Sequence, residues 1–375
     1  MIRQTVAHVD LDAIRANYRE IASFVGSDPA GRTRTPGIIG VVKADAYGHG
    51  AVRVARALED EGIAMLACAD IEEGISLREA GIRASVLVFG ALSVSDLDGI
   101  FAYGLTPTIS TPGAARALQA AAKKHRVRLS CHLKIDTGMN RLGFRHDNLG
   151  RTLPEVAASP NLEITAVYTH FATADDPDHP AFALQQQRFA EVLALLPSLG
   201  VTATVRHAAN SAALLRDERV WYDFVRPGLL LYGIVPPPLA STLQLRPALS
   251  LRSRIVAVKG IRPGEGTGYG LRTVVGESTT LAVVPAGYAD GIDLRLAGRG
   301  HMLVRGRRAA VVGSVCMDMT TIDVTGTDVA PGDDVVIVGE QGDESIGVRE
   351  IAAAIGTIPY ELLCRLGARI VRVYQ

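Results

Sequence analysis

The sequence has 375 residues, 48% of them hydrophobic, and its 39 basic and 39 acidic residues leave a formal net charge of zero. The length predicts two domains with large cores, and the balanced charge gives no indication of a nucleic-acid partner or an anionic membrane surface. No apolar run approaches the ~20 residues that span a bilayer, and the first residues lack the apolar stretch of a signal peptide, so we expect a cytoplasmic protein.

The first strand signal in the chain ends in a lysine. The predicted strand Ile38–Asp45 is apolar up to Lys43, and a turn bounded by Gly48 and Gly50 follows. Burying a lysine costs free energy unless its charge is paired, its pKa is lowered or its amine is used covalently. The covalent use would be a Schiff base with an aldehyde cofactor. The alternative is a side chain that extends to solvent.

Seven further strand-like segments follow, and helix-like stretches separate most of them. The predicted strands are Ala64–Asp70, Ser85–Gly90, Thr106–Ser110, Arg128–Asp136, Leu162–Phe171, Thr204–Ala209 and Tyr222–Arg226. The predicted helices include Ala51–Glu61, Ile71–Ala80, Thr111–His125 and Ala181–Leu199, and Ser93, Thr111 and Asn210 are expected to cap helices. This alternation predicts an N-terminal (β/α)8 barrel. A doubly wound sheet fits the alternation too, but no Gly-x-Gly-x-x-Gly follows the first strand.

The pattern changes after three prolines at residues 236–238. Short β segments then dominate, at Leu251–Val258, Thr279–Val284, Met302–Val304, Ala309–Val312 and Asp334–Val338, with one helix at Val348–Ile355. We therefore expect a barrel domain at residues 1–243 and a mostly β C-terminal domain at residues 244–375. Residues 1–10 are expected to pair with the second domain.

Several polar side chains follow the predicted barrel strands, where this fold places its active sites. Ser211 begins a helix after the seventh strand and Gly228 follows the eighth, an arrangement that favours a phosphate pocket over an ordinary helix start. His170 ends the sixth strand, where it is either a core histidine or a group that faces a ligand. Lys134 shares a strand face with His132, and its charge conflicts with that of Arg141 unless a carboxylate pairs with it.

Seven motifs, in order along nearly the whole chain, are similar to those of the alanine racemases, which use pyridoxal 5'-phosphate. They lie at Val41–Gly50, His132–Arg141, Tyr168–Ala172, His207–Ser211, Arg226–Gly228, Gly287–Gly291 and Cys316–Asp318. The resemblance implies that Lys43 holds the cofactor, that His170 lies against its ring, and that Arg226 faces its pyridine nitrogen. Further implied cofactor contacts are Tyr47, Ser211, Gly228 and Leu229, and implied substrate contacts are Arg141, Tyr288 and Met317.

The resemblance also implies a homodimer with shared active sites. Tyr269, between two glycines, would be the second acid–base group and would come from the partner subunit, with Lys43 serving the opposite face of the substrate. Lys134 is the implied site of carbamylation, against the alternative of pairing with a carboxylate. The expected reaction is the interconversion of L- and D-alanine. The alternatives are a serine or broad-specificity racemase, a barrel-type decarboxylase that uses the same cofactor, and a catalytically silent regulatory protein. Some relatives have a phosphate-binding tyrosine near the C-terminus, whereas this chain has Gly367 and Ala368 before Arg369, so phosphate contact by that segment stays open.

Overall fold

The computed structural model describes residues 5–27, 35–90, 92, 96–271 and 273–375. The chain divides into two compact units. The barrel unit comprises Ile14–Ala46 and Ala51–Leu245, and the β unit comprises Met1–Ala13, Tyr47–Gly50 and Arg246–Gln375. Ser93, which was predicted to cap a helix, lies outside the described residues. Within those residues, no helix combines the length and the apolar character needed to cross a membrane.

The barrel unit contains eight parallel strands that close on themselves, which confirms the predicted (β/α)8 architecture. Before it, the chain forms strand β1 (Val6–Val9) and helix α1 (Leu11–Gly26). The barrel strands are β2 (Gly37–Val41), β3 (Met65–Cys68), β4 (Ser85–Val88), β5 (Thr106–Ile109), β6 (Leu129–Asp136), β8 (Leu162–Tyr168), β9 (Val205–Asn210) and β10 (Phe224–Arg226). Strand β7 (Phe144–Arg145) pairs with β6, and the circle closes where β10 pairs with β2.

Helices follow most of the barrel strands. They are α2 (Lys43–Tyr47), α3 (Ala51–Asp60), α4 (Ile71–Glu79), α5 (Asp98–Ala102), α6 (Pro112–His125), α7 (Leu149–Ala157), α8 (Ala181–Leu195) and α9 (Ser211–Arg216), with short 3-10 turns at Leu196–Leu199, Glu218–Val220 and Leu229–Tyr232. The predicted caps at Thr111 and Asn210 are confirmed, because each side chain accepts the backbone N–H of the residue three positions later. Strand β10 begins two residues later than predicted because Tyr222 has a φ of +50°, which a strand cannot accommodate.

Segment α2 is not a right-handed helix. The four residues Ala44, Asp45, Ala46 and Tyr47 all have φ values of 52–53°, and Gly48 continues the run at 77°. Left-handed backbone costs a residue with a Cβ roughly 1–2 kcal/mol, so four in succession store considerable strain directly after Lys43. Strain of this size persists where the surrounding structure holds it, and it is common at functional sites.

The β unit is built on a ten-stranded sheet that also includes β1. Its strands are β11 (Leu249–Arg254), β12 (Ala257–Ile261), β13 (Gly266–Thr267), β14 (Thr273–Val274), β15 (Thr279–Val284), β16 (His301–Val304), β17 (Arg307–Val312), β18 (Thr320–Asp323), β19 (Asp334–Gln341), β20 (Glu344–Ile346) and β21 (Val371–Tyr374); β13 and β14 form a separate hairpin. Two helices, α10 (Val348–Ile355) and α11 (Pro359–Cys364), precede the last strand. Strand β1 lies between β11 and β21.

One predicted strand of the β unit is divided in two. The prediction joined Leu251–Val258, whereas β11 ends at Arg254 and β12 begins at Ala257. Between them the backbone changes partners: Ile255 N–H donates to Asp333 O, and Val256 N–H donates to Val283 O. The predicted elements did not include strands β7, β13, β14, β18, β20 and β21 or helices α1, α7 and α11.

Candidate active site

The carboxyl ends of the barrel strands gather a cluster of basic side chains. Lys43 follows β2, Lys134 lies on β6, Arg141 follows β6, and Arg226 ends β10. Because β10 pairs with β2, Lys43 and Arg226 stand at the ends of neighbouring strands. The charges of Arg226, Arg141 and Lys43 all act on Lys134, so the barrel brings these predicted site residues together.

Arg226 is buried and is held by neutral groups. Its Nη2 donates to the carbonyl oxygens of Thr169 at 2.9 Å and Ala208 at 2.8 Å. Nη1 donates to His207 Nδ1 at 2.9 Å, and Nη2 also lies 3.2 Å from His170 Nδ1. Burial lowers the pKa of Arg226 to about 10, which leaves the guanidinium charged at neutral pH. Among the described residues, no hydrogen bond uses its Nε.

The hydrogen bonds of Arg226 fix the tautomers of two histidines. A guanidinium only donates, so Nδ1 of both His207 and His170 must accept, and their protons must lie on Nε2. His207 Nε2 then donates to His132 Nδ1, 3.1 Å away. His207 also stacks on Tyr168, with ring centroids 4.6 Å apart and planes 11° from parallel. Neither His207 nor Tyr168 was assigned a role from the sequence, although both lie in motifs that marked the site.

Burial and the neighbouring positive charges keep His170 and His132 neutral. Burial, followed by the charges of Arg226, Lys134, Arg141 and Lys43, lowers the pKa of His170 well below its ordinary value. Burial and Arg226 likewise lower the pKa of His132 to about 4. His170 is thus a neutral imidazole whose Nδ1 faces Arg226.

Lys134 experiences the same environment. Burial and then the charges of Arg226 and Arg141 lower its pKa to about 7, against an opposing contribution from Asp136. Its Nζ lies 5.0 Å from the centroid of the Tyr168 ring, which stabilises the charged form by a cation–π contact. An amine with this pKa is partly unprotonated at neutral pH and is therefore nucleophilic.

The predicted phosphate pocket contains a hydrogen bond between its two main residues. Gly228 N–H donates to Ser211 Oγ at 2.9 Å, and this leaves the Ser211 hydroxyl proton available for an acceptor. A 3-10 turn begins at Leu229, and the first N–H groups of such a turn have no partner within it. Ser211 and Leu229 are both buried. The pair thus offers donors to an anion at the ends of β9 and β10.

A carboxylate supports the strained turn after Lys43. Glu73, on α4, accepts the backbone N–H of Ala44 at 2.6 Å and that of Ala69 at 2.7 Å. Asp45 accepts the N–H of Ala51 at 2.7 Å. The role of Glu73 has no local signal in the sequence, because its contact with Ala44 spans 29 residues.

The β unit brings together the loops that carry three other predicted site residues. Ser314 Oγ donates to the carbonyl oxygen of Tyr269 at 2.9 Å. The backbone N–H groups of Tyr288 and Ala289 donate to the carbonyl oxygens of Cys316 and Met317. The side chains of Tyr269, Tyr288 and Met317 are 78%, 45% and 52% exposed.

Tyr47 belongs to the β unit and is buried there. Its ring lies 5.8 Å from that of Tyr360, centroid to centroid. Burial, with smaller contributions from Tyr360 and Cys364, raises the pKa of its hydroxyl above the ordinary value, so the phenol is neutral and remains a hydrogen-bond donor.

The chain matches two family models, described as "Alanine racemase, N-terminal domain" over residues 9–236 and "Alanine racemase, C-terminal domain" over residues 248–374. It is 42% identical to the alanine racemase of Carboxydothermus hydrogenoformans, with all of both chains covered. A crystal structure of alanine racemase from Streptomyces lavendulae superposes with a TM-score of 0.93 at 36% identity, covering 100% of this chain and 98% of that one. An alanine racemase from Bartonella henselae, solved with covalently bound pyridoxal phosphate, gives a TM-score of 0.87 at 27% identity over 99% of both chains.

The closed (β/α)8 barrel, with a cluster of basic side chains at its strand ends, and the mostly β unit place the chain in the class of two-domain barrel enzymes. The chain belongs to the alanine racemase family.

Proposed function

We propose that the protein interconverts L- and D-alanine with pyridoxal 5'-phosphate as its cofactor. The observation that carries this proposal is the environment of Arg226, whose described partners are imidazole nitrogens and carbonyl oxygens, next to a strand-end lysine. A decarboxylase of this cofactor class is expected to have an acidic residue where Arg226 stands.

The residues of the barrel suit this cofactor. Ser211 and the turn at Leu229 offer donors to a phosphate, and Gly228 lets the backbone approach it closely. Arg226 Nε has no other partner in the described part of the chain and would face an aromatic nitrogen. His170 offers a neutral ring to lie against an aromatic plane. Lys43, at a strand end, would hold the aldehyde carbon covalently. We further assign Tyr47 as a phosphate donor.

When bound, the cofactor supplies an electron sink that makes the α-carbon proton of an amino acid acidic. Arg226 donates a hydrogen bond without transferring its proton, so the nitrogen that it faces stays neutral and the sink stays weak. A weak sink favours rapid return of a proton to the α-carbon, which suits racemisation. Arg141 would bind the substrate carboxylate, and Tyr288 and Met317 would line the substrate pocket.

Racemisation needs one proton carrier on each face of the α-carbon. We assign Lys43 to one face and Tyr269 of the partner subunit to the other. The exposure of Tyr269, Tyr288 and Met317, together with Leu271 at 61% and Val274 at 60%, supports a surface that a second copy of the chain covers. The active unit is therefore proposed to be a homodimer.

Turnover of both alanine enantiomers by the purified protein tests the proposed reaction. We expect D- and L-alanine to reach the same equilibrium mixture from either side. Carbon dioxide release from an amino acid without racemisation would instead support a decarboxylase, and turnover of serine at a rate equal to alanine would support a broad-specificity racemase.

Borohydride reduction of the loaded protein should fix the cofactor to Lys43, and a label at another residue would refute that assignment.

The ratio of transamination to racemisation tests the assignment of Arg226. The carboxylate of a glutamate at this position would stabilise the cofactor nitrogen in its protonated form and so strengthen the electron sink, and transamination should rise relative to racemisation. Full racemase activity with an unchanged ratio in the Arg226→Glu variant would show that the contact is wrong.

Subunit exchange tests the shared site. Tyr269→Phe keeps the ring and removes the proton carrier, so we expect racemisation to fall by roughly 10²–10⁴. Lys43→Ala should be inactive because the cofactor loses its attachment. Mixed dimers of the two variants contain one intact site, and activity should return. Mixed dimers that form and stay inactive would place both groups on one subunit.

Three further assignments are proposals of the same kind. Lys134 is proposed to carry a carbamate, whose negative charge would hold Arg141; mass measurement after isolation in bicarbonate tests it. The domain boundary between residues 243 and 244 can be tested by limited proteolysis, and the cytoplasmic location by cell fractionation.

A further inference from the structure

Helix α8 carries three consecutive glutamines, and each has a different partner. Gln187 Nε2 donates to Glu191 on the same helix at 2.8 Å, and its contact is exposed. Gln186 Nε2 donates to Asp217 Oδ2, also at 2.8 Å. Gln185 alone is buried, with 1% of its surface exposed.

Gln185 joins the loop after β6 to the loop after β8. Its Nε2 donates to Thr137 Oγ1 at 3.1 Å and to the carbonyl oxygen of His170 at 3.0 Å. Its Oε1 accepts the N–H of Ala172 at 2.9 Å. All the hydrogen-bonding capacity that a buried amide needs is thus used on two loops that are distant in sequence.

Neighbouring contacts extend this junction. Arg188, one turn further along α8, donates from Nη1 to the carbonyl oxygen of Thr137 at 3.0 Å. The hydroxyl groups of Thr137 and Thr169 lie 2.8 Å apart. A side chain on α8 therefore holds the start of the loop that continues to Arg141.

The same junction reaches the base of the proposed cofactor site. Thr169 O accepts Arg226 Nη2, and His170 Nδ1 faces the same nitrogen. The position of the His170 backbone sets the distance between its ring and Arg226. Gln185 holds that backbone through the carbonyl oxygen of His170 and the N–H of Ala172.

Only an amide satisfies this position. The carbonyl oxygen of His170 needs a donor and the N–H of Ala172 needs an acceptor, and glutamine supplies both from one planar group. An ionised glutamate would direct a negative oxygen at the His170 carbonyl oxygen in a buried place. A methionine of similar length would leave both backbone groups without their side-chain partner.

We propose that Gln185 is a positioning residue for the reaction: through the loops after β6 and β8 it sets where Arg141 and His170 stand. The effect of Gln185 on catalysis rests on the proposed function. Its effect on the two loops rests on the hydrogen bonds alone.

The test compares Gln185→Met with Gln186→Met, the same substitution one position along the same helix. In the holoenzyme we expect Gln185→Met to raise the KM for alanine by about tenfold or more, since the net loss of one or two hydrogen bonds of about 1 kcal/mol corresponds to such a factor. The KM is independent of how much protein is folded, so loss of stability alone would lower the apparent kcat and leave the KM unchanged. Gln186→Met should keep the wild-type KM.

Amide hydrogen exchange provides a readout that needs no activity. Peptides that cover residues 137–141 and 170–173 should exchange at least tenfold faster in Gln185→Met than in Gln186→Met, with the Ala172 amide the most affected. Thr137→Val removes one acceptor of Gln185 and the contact with the Thr169 hydroxyl, with little change of shape. Because the bonds of Gln185 to His170 and Ala172 remain, exchange should accelerate more in the 137–141 peptide than in the 170–173 peptide. This second variant keeps the test open should Gln185→Met fail to fold.

Wild-type KM and unchanged exchange in Gln185→Met would overturn the proposal, as would equal effects in the two glutamine variants. Faster exchange with a wild-type KM would reduce Gln185 to a structural residue and would also overturn the positioning role. A wild-type protein that does not racemise alanine would refute the proposed function instead, and the exchange experiment would still decide whether Gln185 holds the two loops.

Discussion

Replacing Lys134 by methionine should stabilise the protein without bound cofactor, and the gain should depend on pH. The pKa of Lys134 is lowered from 10.5 to about 7. At 1.36 kcal/mol for each pKa unit, burial and the repulsion by Arg226 and Arg141 together make the charged form cost about 5 kcal/mol. Methionine fills a similar volume but gives up the cation–π contact with Tyr168, which is worth about 1–2 kcal/mol. The expected net gain near pH 6 is therefore about 3 kcal/mol.

The direction of the pH dependence follows from proton binding. Below pH 7 the folded and unfolded chains both hold the Lys134 proton, so the cost of its burial is complete. Between pH 7 and 10.5 the folded protein has released the proton and the unfolded chain keeps it, so the stability of the wild type rises with pH. The advantage of Lys134→Met should fall by about 1.4 kcal/mol for each pH unit above 7.

Urea unfolding of the cofactor-free protein measures this difference. The single tryptophan, Trp221, is buried in the barrel unit beside Phe24 and reports on that unit. The buffers should be free of carbon dioxide so that the Lys134 amine stays unmodified. Lys123→Met, at an exposed position of α6, is the matched control and should show no such dependence. A destabilised Lys134→Met at pH 6, or a difference that stays constant from pH 6 to pH 9, would refute the reasoning.

Three further substitutions test how the loops of the barrel are held. Ala44→Gly relieves the left-handed strain at an exposed position and should raise the stability by about 0.5–1 kcal/mol, after the added freedom of glycine in the unfolded chain is subtracted; a lower urea midpoint would contradict it. Glu73→Gln loses one of the two acceptors for Ala44 and Ala69, so borohydride labelling of the loaded protein should slow and stability should fall by about 1–3 kcal/mol; unchanged labelling would remove Glu73 from the site. Arg216→Lys cannot reproduce the hydrogen bonds of the guanidinium to four carbonyl oxygens of residues 173–177, so proteolysis in that loop should accelerate, and an unchanged rate would refute the role of Arg216.

The barrel could be predicted because its signals are local. Parallel strands are buried on both faces, so β3 and β4 read as continuous apolar runs, and the side chains of Thr111 and Asn210 cap the helices that follow their strands. Once the barrel is recognised, its active face follows from the fold, and the strand-end position makes Lys43 a candidate that the motifs along the rest of the chain then favour. The domain boundary and the residue roles stay predictions.

What the sequence could not indicate depends on distant contacts. The residues of α2 all tolerate a right-handed helix, and their left-handed conformation is supported from α4 by Glu73. The three consecutive glutamines of α8 cannot be told apart in the sequence, and only the fold distinguishes the buried Gln185 from its two neighbours. Likewise, β11 and β12 read as one strand because the break between them is a change of partner strand, which has no local signal.

The basic groups at the strand ends of the barrel lower the stability of the free protein and should raise its affinity for anionic ligands. Lys43, Arg141 and Arg226 all lower the pKa of Lys134, so these groups repel one another in the protein alone. A ligand with a phosphate and a carboxylate relieves that repulsion, and any ligand that binds only the folded state stabilises it. The same charges that lower the stability of the free protein should therefore contribute to holding an anionic cofactor and an amino-acid carboxylate. The strained turn after Lys43 is consistent with this view, because its cost is likewise carried by the fold at the position where the proposed covalent bond forms.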